Sequence, residues 1–275
     1  MPELPEVETI VRGLDSELRG KKVKSLVFLS THLKKKRAYS TLDPAAYRGL
    51  KIERIRRRGK LIIMSFQWQK GLIIHLKMTG QLLLTGSEQP VDKHTHAVMR
   101  FFGIKKELRF RDIRKFGLIS CLPMNKIEEK ILSSLGPEPL EIELTEFYRR
   151  LKAHSKKRVK SWLLDQKIIA GIGNIYSDEI LFQAGINPER PAGSLSLEES
   201  QKLFVAMKSV LRKAIKFKGS SISDYVDSSG QSGKYQKLHQ VYGRENQLCK
   251  RCQQEKIKRK KIGGRSSFYC PSCQT

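Results

Sequence analysis

Leu135-Gly136-Pro137-Glu138-Pro139 divides this 275-residue chain. Two prolines beside a glycine continue neither a helix nor a strand, and the patterning changes across them. Upstream, short apolar runs broken by turns read as strands over 23–29, 61–66, 72–76, 81–84, 98–102, 107–110 and 118–121. Runs at such short spacing predict a β-sandwich or flattened barrel. One helix leads them over 5–19, with Val7, Ile10, Val11, Leu14 and Leu18 on one face, Pro5 in its first turn and Gly20 as its stop. Downstream the period becomes helical, over 145–153, 159–165, 175–183 and 197–218. The fold class is therefore α+β, with a β-sandwich domain at 1–134 and a helical domain at 135–233. The latter ends in a Ser/Gly-rich stretch (219–233) that reads as a long mobile loop, of a kind usually functional or disordered. A third module occupies 234–275.

That last module carries Cys249-x2-Cys252, seventeen intervening residues and Cys270-x2-Cys273. This is the spacing of a zinc ribbon, in which each Cys-x2-Cys turn supplies two thiolates to one structural ion with no open position. Two disulfides are the alternative, disfavoured for tight turns in a chain that opens on Met1-Pro-Glu-Leu-Pro-Glu6, the reverse of a signal peptide. Cys121, after an apolar run, reads as a buried and inert thiol. No window approaches a membrane span, and the expected setting is the reducing cytoplasm, at the nucleoid.

Lys and Arg outnumber Asp and Glu by 54 to 27, a net charge of +27 that points to a phosphate backbone as partner. A ribosome-associated protein fits the same charge. Chemistry enters at the N-terminus. Once Met1 is removed, Pro2 is a secondary amine with a pKa of about 8, so part of it is unprotonated near neutrality. Attack at a sugar C1′ by such an amine gives an iminium, cationic without a proton and suited to elimination. Glu3 then serves as a general acid at the ring oxygen, and Glu6 as a second carboxylate. The same residues equally make a favourable helix start.

Several blocks, in order, carry a resemblance that spans essentially the whole chain. They are Met1-Pro-Glu-Leu-Pro-Glu-Val-Glu-Thr9, Arg58-Gly-Lys60, His75-Leu-Lys-Met-Thr-Gly80, Asp112-Ile-Arg-Lys-Phe-Gly117, Gly171-Ile-Gly-Asn-Ile-Tyr-Ser-Asp-Glu179 and Gly264-Arg265 ahead of the second cysteine pair. Together they resemble the formamidopyrimidine-DNA glycosylases, the oxidised-purine branch of the Fpg/Nei repair family. The resemblance implies a helix–two-turn–helix element in the helical domain and a bifunctional glycosylase and abasic-site lyase acting on duplex DNA with damaged bases. It makes Pro2 the nucleophile and Glu3 its acid/base partner, and has Lys60 contact the damaged nucleotide or its phosphate. His75 and Tyr242 become phosphate contacts, as does Asn174 at a helix start. Lys160 is expected to touch the DNA backbone, and Arg265 to lay its planar fork across the phosphates flanking the lesion.

Met78, Arg114 and Phe116 resemble the residues that fill the void when a damaged base leaves the stack. Apolar wedges there replace lost stacking, and a guanidinium replaces lost hydrogen bonds. By burial alone Met78 and Phe116 suit a core, and Lys60 and Arg265 suit solvated positions in basic runs. Ile113 stands where family members often carry proline. Two other readings remain at this stage: an endonuclease VIII-like enzyme for oxidised pyrimidines, and a non-catalytic damaged-DNA or RNA-binding module. A monomer is expected, as no heptad pattern is present.

Overall fold

Helix α1, Leu4–Leu18, opens the computed structural model of the chain, which describes residues 1–30, 33, 41–130 and 132–275. Its stripe of Val7, Ile10, Leu14 and Leu18 is fully buried, as the 3.6-residue spacing demands. The chain groups into two compact units, residues 1–134 with 217–234 and residues 135–216 with 235–275.

The first unit is a sandwich of two four-stranded antiparallel sheets. One runs β1-β6-β7-β5 (Val23–Phe28, Thr95–Phe101, Lys106–Asp112, Gly80–Gly86). The other runs β2-β3-β4-β8 (Ile52–Arg58, Leu61–Phe66, Lys70–His75, Leu118–Pro123). Leu26, Met99, Phe101, Leu108 and Phe110 of the first sheet share a core with Ile62, Met64, Phe66, Leu72 and Ile74 of the second and with α1. The second sheet also buries its outer face, where Ile63, Ile73 and Leu122 meet Ile127 of α2, Met124–Lys130. Burial on both faces explains why β3 and β4 read as unbroken apolar runs rather than alternating ones.

Strand β2 and helix α2 have no counterpart in the sequence-based expectation. The arginine run 54–58 reads as solvated charge, yet it pairs with β3 along its length. A register shift between Ile52 and Arg54 spaces its buried residues as Ile52 and Ile55, which hides the period of two. Its charges find partners: Arg56 meets Glu128 and Arg57 meets Glu8 of α1, both at 2.9 Å.

The second unit packs α3 (Leu144–Ala153), α4 (Val159–Leu164), α5 (Asn174–Ala184) and α6 (Leu197–Lys216). Phe147 and Trp162 meet edge-on at 5.1 Å in its interior. The hairpin β9–β10 (Lys258–Ile262, Arg265–Tyr269) turns through Gly263 and Gly264, whose φ of 55° and 77° suit the tight turn that glycine favours. Cys249, Cys270, Ile257 and Val241 form a small core with Phe182 of α5. Residues 235–275 therefore group with the helices, where the sequence suggests a separate module over 234–275.

Residues 217–234 group with the sandwich, where the sequence places 217–233 with the helices. They form no helix or strand, and the sandwich holds them at three points. The Ser220 N–H donates to Glu6 Oε1 at 2.8 Å, Gln81 Nε2 to the Asp224 carbonyl at 2.5 Å, and the Leu84 N–H to the Ser228 carbonyl at 2.8 Å.

Candidate active site and nucleic-acid interface

Pro2 and Glu3 are buried at the N-terminus of α1, behind an exposed Met1. Glu3 and Glu6 form a reciprocal capping box, with the Glu3 N–H donating to Glu6 Oε2 at 2.8 Å. Both Glu6 oxygens thus have backbone donors, one from Glu3 and one from Ser220. Glu6 holds the N-terminal turn to the base of the 217–234 loop. Gly219 makes that contact possible: its φ is +77°, and a Cβ there would stand 2.5 Å from Glu6 Oε1. Tyr225 closes the same corner by donating to the Lys218 carbonyl at 3.1 Å; burial, then the nearby Glu6 charge, raise its pKa.

Strand register collects the other first-unit candidates at one end of the sandwich. Leu61, next to Lys60, pairs with His75; His75 pairs with Leu118; Gly80 pairs with Asp112. Lys60 follows Gly59 in the β2–β3 turn and is 8% exposed. The turn is fixed by Arg57, which donates to the Gly59 carbonyl at 3.1 Å and to Glu8 at 2.9 Å. His75 Nδ1 accepts the Lys77 N–H at 3.0 Å, which leaves Nε2 as the ring's donor. Burial, then the charges of Lys77 and Lys60, push the His75 pKa down to about 3. His75 is therefore a neutral hydrogen-bond donor at physiological pH, not a cation.

Met78, Arg114 and Phe116 lie on the two loops joining the sheets at this end. Met78 and Phe116 are 40% and 49% exposed, unlike core residues, and the Arg114 guanidinium lies 4.7 Å from the centre of the Phe116 ring. Asp112, fully buried, anchors both loops: Oδ1 accepts from Thr79 Oγ1 at 2.5 Å and Oδ2 from the Gly117 N–H at 2.7 Å. The Arg114 N–H in turn donates to Thr79 Oγ1 at 3.1 Å. These bonds constrain the Arg114 backbone without a proline at position 113. Asp112 and Thr79 belong to quoted sequence blocks, but nothing in their spacing marks them as anchors.

In the second unit Gly173 caps α5, so Asn174 is its first residue and not its cap. Asn174 Nδ2 donates to the Ser266 carbonyl on β10 at 2.9 Å, beside the exposed Arg265. Tyr242 donates its N–H to Glu179 Oε1 at 2.9 Å and packs its ring edge-on against Phe268 at 5.2 Å. Glu179 also receives the N–H groups of Gln240 and Val241, which offset a burial that raises its pKa.

Lys160 departs from expectation. It is fully buried, with Nζ 2.5 Å from Asp178 Oδ1 and 3.4 Å from the Ser266 carbonyl. An ammonium enclosed in this way cannot meet a DNA phosphate, so the expected backbone contact is corrected to an internal ion pair. In sequence a buried lysine and a surface lysine of a basic run look alike.

The four cysteines fit a zinc ion. Their sulfurs all lie within 4.8 Å of one another, and Cys249–Cys273 and Cys252–Cys270 are each 3.8 Å apart. A tetrahedron with zinc–sulfur bonds of about 2.3 Å has edges of about 3.8 Å. The thiols are free, which removes the disulfide alternative. Such a closed site of four thiolates ties the ribbon together and leaves no position for substrate.

Comparison with known proteins agrees with this arrangement. Residues 1–119 match the model of the formamidopyrimidine-DNA glycosylase N-terminal domain, and residues 135–226 that of the formamidopyrimidine-DNA glycosylase H2TH domain. The formamidopyrimidine-DNA glycosylase of Carboxydothermus hydrogenoformans is 44% identical over the full length of both chains. That of Bacillus cereus is 38% identical over 100% of this chain and 99% of its own. Among solved structures, a Lactococcus lactis FPG variant in complex with Fapy-dG-containing DNA superposes with a TM-score of 0.89 at 34% identity, covering all of both chains. The Lactococcus lactis Fpg in complex with DNA containing an abasic site gives 0.89 at 34% identity over 99% of each chain.

Proposed function

The chain belongs to the formamidopyrimidine-DNA glycosylase family, and from that premise we propose how its residues divide the work on duplex DNA. It is a DNA glycosylase of base excision repair that removes oxidised purines, and its four C-terminal cysteines hold a structural zinc. Pro2, released as a secondary amine by loss of Met1, attacks C1′ of the extruded nucleotide. The N–C1′ bond forms, the glycosidic bond breaks, and the base departs with its bonding pair and takes up the proton that the Pro2 nitrogen releases. Glu3 protonates the ring oxygen as the sugar opens to an iminium. Loss of a C2′ proton expels the 3′ phosphate. A second elimination expels the 5′ phosphate, leaving a one-nucleotide gap with phosphate ends.

Lys60 and His75 address the lesion's phosphates from the sandwich, His75 as a neutral donor. Met78, Phe116 and Arg114 occupy the vacated stack, with Arg114 bonding the widowed base. Asn174, Tyr242 and Arg265 take backbone phosphates, Arg265 as a bidentate clamp that also serves the second elimination. The three sequence domains, 1–134, 135–233 and 234–275, are retained as units of function: catalysis, helix–two-turn–helix binding with the lesion loop, and zinc-dependent phosphate contact. The expected setting is the cytoplasm, at the nucleoid; no described helix is long and apolar enough to cross a membrane.

The observation that carries the reading is the buried Pro2–Glu3 turn, locked by Glu6 from both sides. Borohydride trapping on a duplex with 8-oxoguanine opposite cytosine tests it, followed by mass mapping of the adduct. A crosslink at Pro2 supports the imine route. Zinc-loaded protein that starts at Pro2, excises the base and yields no crosslink refutes it.

A further inference from the structure

The buried pair Lys160–Asp178 is not used by the chemistry above, yet it is the most enclosed ion pair among the described residues, with side chains 0% and 1% exposed. Enclosing two charges is costly and adds little stability by itself, so its geometry matters more than its presence. Asp178 divides its carboxylate. Oδ1 accepts from Lys160 of α4, and Oδ2 accepts from the Phe268 N–H of β10 at 3.1 Å. One turn earlier on the same face of α5, Asn174 donates to the Ser266 carbonyl, which Lys160 also approaches at 3.4 Å.

The spacings match. Four residues along a helix advance about 6 Å, and two along a strand about 6.6 Å. Asn174 and Asp178 thus meet Ser266 and Phe268 as two rungs of one ladder. Ahead of β10, Gly263 passes close to α4: a Cβ there would lie 2.8 Å from Ser161 Oγ. Arg265 sits between that close contact and the first rung.

We propose that Lys160 and Asp178 are positioning residues, fixing the register of β10 along α5 and so holding Arg265 beside Asn174 as one phosphate-binding unit. The pair acts through Arg265 and touches no DNA itself. The inference rests on the reading of Arg265 as a phosphate contact.

The test is a Lys160→Met/Asp178→Leu double variant of the zinc-loaded, full-length protein. A Lys160→Met/Asp178→Asn variant is made alongside it, retaining an acceptor for Phe268. Both remove the two charges together, which avoids stranding either one. Zinc content and the melting curve establish folding. Affinity for a tetrahydrofuran-containing duplex is then measured across salt concentrations, with and without Arg265→Ala. We expect intact zinc, about tenfold weaker binding and a log–log salt slope shallower by about 0.9, the share of one phosphate. The first strand break, by β-elimination, should be unchanged at saturating abasic duplex, while the second elimination should slow with the lost Arg265 contact. Adding Arg265→Ala should cost nothing further, because its contact is already lost.

Wild-type affinity in a folded variant overturns the proposal. So does full additivity with Arg265→Ala, or failure of both variants to fold, which makes the pair a fold determinant only. If Arg265→Ala alone leaves binding unchanged, the phosphate reading fails and the proposal falls with it. If Arg265→Ala weakens binding and the pair variants do not, the proposal alone falls.

Discussion

Asp112 offers the sharpest test of how the sandwich presents its wedge. Its carboxylate is fully buried and accepts from Thr79 Oγ1 at 2.5 Å and the Gly117 N–H at 2.7 Å. Asp112→Ala removes both bonds and strands both donors. A hydrogen bond to a charged group contributes roughly 1.5–3 kcal/mol, so with two removed the 112–117 loop should lose about 3–6 kcal/mol. Asp112→Asn should be milder. Its oxygen still accepts from Gly117, and its NH2 donates to Thr79 Oγ1. Only charge assistance is lost, about 1–2 kcal/mol.

Amide hydrogen exchange across 110–120 reads this directly, at about 1.4 kcal/mol per tenfold. Asp112→Ala should exchange at Arg114 and Gly117 about two to four decades faster than wild type, and Asp112→Asn about one decade faster. Single-turnover base excision should fall in the same order, because Arg114 and Phe116 ride on that loop. Equal effects in the two variants would show that charge, and not the hydrogen-bond pattern, holds the loop. No change in Asp112→Ala would remove Asp112 as its anchor.

Cys249→Ser should release zinc and abolish duplex binding while circular dichroism of the sandwich persists; uniform loss of structure would contradict two separately stable units. Because the folded pKa of His75, about 3, lies below the ordinary imidazole value, the unfolded chain binds the extra proton between the two. Its contribution is full above about pH 6.5. It is lost as pH falls toward 3, by roughly 3–5 kcal/mol in all. Urea unfolding at pH 7.5 and 5 should show His75→Gln flattening that loss. Gly219→Ala forces a side chain at φ +77° against Glu6; it should cost over about 1 kcal/mol and slow excision more than nicking of a ready-made abasic site, and equal slowing of both would separate the loop from base removal. Lys60→Ala should likewise slow excision while sparing nicking, and a parallel fall would reassign Lys60 to general phosphate binding.

The sequence shows the sandwich where burial is continuous or regularly periodic. The runs in β3, β4 and β8 stand out because α2 covers their sheet's second face, and α1 stands out through its stripe. Strand β2 does not, because a shifted register and arginines paired with Glu8 and Glu128 remove both the apolar run and its period. Helix α5 is recognisable by its apolar residues, yet Ser177, Asp178 and Glu179 in its middle are all buried. No local rule predicts that three consecutive polar residues face inward: Ser177 bonds back to the Asn174 carbonyl within its own helix, but the partners of Asp178 and Glu179 lie 18 to 90 residues away.

The same distinction governs the candidate site. Residues proposed to touch the DNA were mostly named from ordered blocks, because each block keeps a chemical group at a turn or a helix start. Residues that hold those groups in place were not, because an anchor is defined by what it reaches in three dimensions. Glu6, Asp112, Asp178 and Glu179 are four such anchors, all carboxylates no more than 2% exposed; each accepts a backbone N–H and each has a partner far along the chain, which for Asp112 is the Thr79 hydroxyl. In a chain of net charge +27 this use of acids has a physical logic. A carboxylate left on a DNA-facing surface would repel the ligand. One turned inward keeps its charge out of the phosphates' path and uses it to order the loops that carry the cations. Lys160 follows from the same economy: enclosed by Asp178, it adds no surface charge and aligns the strand that carries Arg265. Counting basic residues therefore overstates the interface, and the acids that organise it are the part a charge count leaves out.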